Sequence, residues 1–130
     1  MINYVQEFID KFEMKLNIED PLAKQKFIDN AEIFIREEFN ELIDAVSTGD
    51  IEEIVDALGD ISWLVDKGML MAGIDPVEVR AEIGRANLSK EIGVKPGREH
   101  AIKDVIKPLG WKGPNHEGNY GRLKEIFAEN

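Results

Sequence analysis

Apolar residues return at helical spacing through most of this chain, and each such stretch is closed by residues that start or stop helices. That combination leaves little besides a series of consecutive helices as a fold. Val5, Phe8, Ile9, Phe12 and Leu16 predict a first helix over roughly residues 3–16. Asp20-Pro21 opens a second, because aspartate suits the N-cap and proline the first helical position. Its inward stripe runs through Phe27, Ala31, Phe34, Ile35, Glu38, Leu42, Ala45 and Val46, and Ser47-Thr48-Gly49 ends it. Asp50 caps a third helix, with Glu53 completing a capping box. Ile54, Ala57, Leu58, Ile61, Leu64 and Val65 carry that helix to about Met71, and Gly73 stops it. Asp75-Pro76 repeats the start signal for a fourth, which ends near Leu88.

Beyond Leu88 the chain changes character. Gly93, Pro96, Gly97, Pro108, Gly110 and Gly113 break up any long element, and Lys90, Lys95, Lys103, Lys107 and Lys112 cluster there. A short helix from about Gly121 to Ala128 closes the sequence. No alternation of the kind strands show stands out. The expectation is one all-α domain over residues 1–130, a four-to-five-helix bundle of about residues 3–88 with a basic, loop-rich C-terminal arm of about residues 89–130. With 43% apolar residues, a chain of 130 can fill a single core.

Composition removes several functions. There is no cysteine, hence no disulfide, thiolate zinc site or thiol nucleophile. A net charge of −10 repels nucleic-acid backbones, and no basic helix offsets it. No apolar run is long enough to cross a membrane. The opening Met-Ile-Asn-Tyr-Val-Gln-Glu-Phe does not read as a signal peptide, so a cytoplasmic location is expected. His100 and His116 lie in the loop-rich arm without ligand spacing, and neither a P-loop nor a serine nucleophile elbow is present.

Two acidic clusters remain, Glu37-Glu38-Phe39-Asn40-Glu41 and Asp56-Ala57-Leu58-Gly59-Asp60. Glu38 falls on the inward stripe of the second helix, between Phe34 and Leu42, with Glu41 to one side and Glu37 further out. Asp56 and Asp60 are four residues apart, so they share one face of the third helix and repel. The short turn between the helices makes them antiparallel neighbours, which lets Glu38 and Glu41 face Asp56 and Asp60. A structural helix gains nothing from such repulsion. A group of carboxylates that holds a divalent cation does, because charge is costly to bury unless paired or bound to metal. Magnesium suits such oxygen ligands and a phosphate-bearing substrate, and Mn²⁺ can replace it. The competing class is a non-catalytic helical module that pairs with itself or a partner and carries an acidic face.

These residues resemble the all-α nucleoside triphosphate pyrophosphohydrolases, whose hallmark is Glu-Glu-x-x-Glu on one helix and an acidic Glu-x-x-Asp on the next. Downstream, Arg85-Ala86-Asn87-Leu88-Ser89-Lys90 and Lys112-Gly113-Pro114-Asn115 are similar to the phosphoribosyl-ATP pyrophosphohydrolase-like branch. The resemblance implies cleavage of a nucleoside triphosphate or related nucleotide between its α and β phosphates, giving a monophosphate and pyrophosphate. It implies Glu38, Glu41 and Asp60 as Mg²⁺ ligands and Glu37 as the group that orients or deprotonates water. The family's ligand three residues before Asp60 falls on Ala57, so Asp56 or Glu53 would replace it. Asn87, Lys90, Lys112 and Trp63 are the expected substrate contacts, although an aromatic at Trp63's spacing also suits the core. A homodimer or homotetramer is implied as well.

Overall fold

The computed structural model describes residues 3–95, 97 and 104–128; Pro96, His100 and Lys103, noted above, lie outside them. Helices dominate: α1 (Tyr4–Lys11), α2 (Ala23–Ile28), a π-helical turn (Asp29–Phe34), α3 (Ile35–Thr48), α4 (Ile51–Met71), α5 (Pro76–Leu88) and α6 (Leu123–Ile126). The all-α class is as expected. The chain divides into two compact units, one of Met1–Pro76 with Tyr120–Asn130, the other of Val77–Asn119.

In the first unit α3 and α4 are joined only by Gly49 and Asp50 and pack along each other, with α1 and the π-helical turn also against α4. Gly49 takes a left-handed φ of 69°, which lets α3 stop and the chain reverse at once. Asp50 caps α4 as predicted, its side chain accepting from Glu53 N at 3.2 Å. The return half of the capping box is missing, because Asp50 N donates to the Ala45 carbonyl at 3.0 Å. The core gathers Val5, Ile9, Leu16, Ala23, Met71 and Ile126, with Met14, Phe27, Trp63 and Leu70 packed on it.

Three helix boundaries differ from expectation. α1 ends at Lys11, and Glu13 follows in a left-handed conformation with φ 53°. Leu16 is buried all the same, from an extended segment that donates its N–H to the Met71 carbonyl at 2.9 Å. Asp20-Pro21 forms a turn ahead of α2 rather than its first turn. Asp20 Oδ1 accepts from Leu22 N at 2.9 Å, and the helix starts at Ala23.

The predicted second helix does run without a break from Ala23 to Thr48, but a π-helical turn interrupts its α period. The wider turn shifts the phase of what precedes it. Asn30 is therefore the buried residue at 1% exposure, while Ala31 faces out and Phe34 is 40% exposed.

In the second unit, Glu91–Ile92 (β1) and Val105–Ile106 (β2) form a short antiparallel pair, a strand element the sequence did not suggest. It is only two residues long on each side, too short to leave an alternating pattern. The arm is tied to α5 by polar contacts. Trp111 Nε1 donates to the Ala86 carbonyl at 2.8 Å and to Ser89 Oγ at 3.0 Å. Glu82 Oε1 accepts from Arg85 Nη2 at 3.0 Å and from Asn115 N at 3.1 Å.

Candidate metal centre

The antiparallel packing of α3 on α4 brings the acidic clusters together. Glu38 and Asp60 are half-buried; Glu37, Glu41 and Asp56 are exposed. Ala57 lies between the helices at 3% exposure. A side chain this buried is suited by a small apolar residue, and Ala57 has no donor to offer a cation. Burial first, then a hydrogen bond and repulsion from Glu41, then the charges of Asp60 and Asp56, push the Glu38 carboxyl up from 4.5 to about 7. Burial and the negative charge of Asp56 also raise Asp60. The side chains of Glu38, Glu41, Asp56 and Asp60 thus act on one another across the two helices, as the helical phase predicted.

Among the described residues, no three acidic or histidine side chains are grouped closely enough to hold a metal ion as they stand. The donors nevertheless fit a hard divalent ion. All are carboxylate oxygens, the ligand type such ions select. Glu38 Oε2 is buried with no hydrogen-bond partner, which leaves its lone pairs free for a cation.

Asp56 acts on both Glu38 and Asp60 electrostatically. Glu53 stands apart from those effects. It lines a shallow cleft with Glu41, Asp44 and Thr48. Its carboxylate is not consumed by capping, since the Asp50 N–H is bonded elsewhere. Glu53-Ile-Val-Asp56 is itself a Glu-x-x-Asp run; this signal was masked by the reading of Glu53 as a cap.

The expected substrate residues fall in different places. Trp63 in the first unit meets Phe8 edge-to-face, with centroids 5.4 Å apart, so its ring is engaged with the core. Asn87, Lys90 and Lys112 belong to the second unit. Asn87 and Lys112 are exposed there, and Lys90 Nζ lies 5.3 Å from the centroid of Trp111. Lys107, which sequence reading left as one lysine among several, sits 5.0 Å from the same ring. His116 is half-buried near Glu82, whose carboxyl Arg85 holds below its usual range.

A family model described as phosphoribosyl-ATP pyrophosphohydrolase matches residues 5–87, a span that takes in both acidic helices. No curated protein and no solved structure matches the chain.

Proposed function

We propose that this chain, which belongs to the phosphoribosyl-ATP pyrophosphohydrolase family, hydrolyses a nucleoside triphosphate or related nucleotide between its α and β phosphates. Family membership makes it an enzyme acting on phosphoric anhydride bonds. The observation that carries the finer reading is the mutual perturbation of Glu38, Glu41, Asp56 and Asp60 around a buried, unpartnered oxygen.

In this proposal Glu38, Glu41, Asp56 and Asp60 hold Mg²⁺, or Mn²⁺ in its place. Such an ion, when bound, neutralises phosphate charge and draws the reacting groups together. Glu38 must lose its proton to serve as a ligand, so cation binding competes with protonation and weakens as pH falls. Glu37, exposed one position before Glu38, orients or deprotonates the attacking water. Asn87, Lys90 and Lys112 are proposed to hydrogen-bond the nucleotide and balance its charge.

Self-association is also part of the proposal. Phe39, Ile43 and Val46 on α3 form an exposed apolar stripe, and Ile51, Val55 and Leu58 on α4 form a second. Both follow the i, i+4, i+7 spacing of helical interfaces. Such contiguous apolar exposure suits a second copy of the chain. A purely non-catalytic module would explain the stripes but not the converging acids.

The test is to incubate the protein with each nucleoside and deoxynucleoside triphosphate plus Mg²⁺ and separate the products. Monophosphate with pyrophosphate supports the reading. No turnover of any nucleotide, or unchanged rates in Glu38→Gln and Asp60→Asn, removes it.

A further inference from the structure

A cleft of about 560 Å³ in the first unit is lined by Met14, Leu16, Asp29, Phe34, Lys67 and Met71 among others. Its size is that of small-molecule sites. Its wall mixes apolar surface with charge: Lys15, Lys26 and Lys67 line it together with Glu13, Asp20 and Asp29, and Lys26 is paired with Asp20 at 2.6 Å. Lys67 Nζ lies 5.3 Å from the centroid of Phe34, which fixes α4 against the end of the π-helical turn at this level. Among the described residues Lys67 makes no ion pair, although the chain carries 26 acidic residues. Burial alone lowers its pKa, with no carboxylate countering. A half-buried ammonium without a counter-ion, facing an open cleft, is a donor awaiting an acceptor.

The cleft lies in line with the carboxylates. Phe34 closes the π-helical turn immediately before α3, four residues ahead of Glu38. Asp60 and Lys67 are seven apart on α4, which is about 10 Å along the axis at 1.5 Å per residue. That is the scale separating a nucleobase from the phosphates of its own nucleotide. A phosphate would not need Phe34 and two methionines; a flat heterocycle would.

We infer that this cleft takes the nucleobase of the substrate, and that Lys67 and Asp29 together select a base with a lactam edge. In such a base (guanine, hypoxanthine, uracil or thymine) a ring carbonyl stands beside a ring N–H. Lys67 donates to the carbonyl oxygen and the Asp29 carboxylate accepts from the N–H. Asp29 Oδ1 already accepts from Gln25 Nε2 at 2.7 Å, which steadies the group and leaves Oδ2 for the base. Adenine offers the reverse pattern, an amino donor toward the ammonium and a ring nitrogen toward the carboxylate, and is rejected. The inference rests on the reading of the acidic cluster as the phosphate site.

The test is calorimetric binding of α,β-methylene triphosphates of guanosine, inosine and adenosine in the presence of Mg²⁺. These analogues cannot be cleaved at that bond, so affinity is read apart from turnover. Wild-type protein is expected to bind the guanine and hypoxanthine forms at least tenfold more tightly than the adenine form. Lys67→Met should erase most of that preference, as expected for loss of one charge-assisted hydrogen bond, while Glu38→Gln should weaken all three alike. Asp29→Asn carries the same expectation should Lys67→Met fail to fold. Equal affinity for all three bases in the wild type, or an unchanged ratio in both cleft variants, overturns the inference. A lactam preference in a protein that cleaves no nucleotide sustains the cleft and defeats the catalytic reading instead.

Discussion

Asn30 donates through Nδ2 to the Leu64 carbonyl oxygen at 2.9 Å, joining the π-helical turn to the middle of α4. The bond crosses between the two helical segments that carry the acidic clusters, so it fixes their relative register. Asn30 is 1% exposed. Asn30→Ala should cost about 1–3 kcal/mol, the usual loss for one partner of a buried hydrogen bond. Asn30→Asp should cost more, because a carboxylate would face a carbonyl. Gly68→Ala should also destabilise, since a Cβ there would meet Asn30 Nδ2 at 2.9 Å. Urea unfolding of the three variants measures each effect.

Glu38 makes its own contribution to the pH dependence of the cation-free protein. Its carboxyl is raised from 4.5 to about 7 in the folded state, so folding favours the protonated form. The stability it contributes is complete below about pH 4.5 and is lost as pH rises through about 7. Melts in a chelator should therefore show falling stability between pH 5 and pH 8 from this group, and Glu38→Gln should flatten that fall. At pH 8 without cations Glu38→Gln should melt no lower than the wild type.

Substituting the two candidate replacements for the donor missing at Ala57 should separate them. Asp56→Ala is expected to weaken cation binding at least tenfold, because Asp56 acts on both Glu38 and Asp60. Glu53→Ala should leave the α4 cap intact, since the capping side chain is that of Asp50. Asp50→Ala, by contrast, should cost about 1 kcal/mol. Metal titrations and thermal melts of the three variants check these outcomes.

Charge placed on the apolar stripes should break self-association. Ile43→Glu and Val55→Glu sit on exposed positions of α3 and α4, so the fold of one copy should tolerate them. Light scattering on size-separated protein is expected to show a multimer for the wild type and a single copy for the variants. A monomeric wild type would contradict the assembly.

Much of this was legible in the sequence because helix punctuation is local. Asp50, Gly49, Gly73 and Pro76 mark the ends of α3, α4 and the start of α5 where the structure has them. That Glu41, Asp56 and Asp60 sit near enough to perturb Glu38 followed from helical phase and one short turn. The π-helical turn did not, because no local signal marks it; what distinguishes it is the long-range bond from Asn30 to Leu64. Lys67 was missed for a related reason. It reads as an ordinary surface lysine until the fold places Phe34 beside it.

The central claim is that the carboxylates of α3 and α4 gather a divalent cation. Mn²⁺ binding followed by electron paramagnetic resonance at pH 8 tests it most directly. Saturable binding in the wild type, weakened at least tenfold in both Glu38→Gln and Asp60→Asn, is the expected result. Binding that is absent from the wild type, or unaltered in both variants, would contradict it.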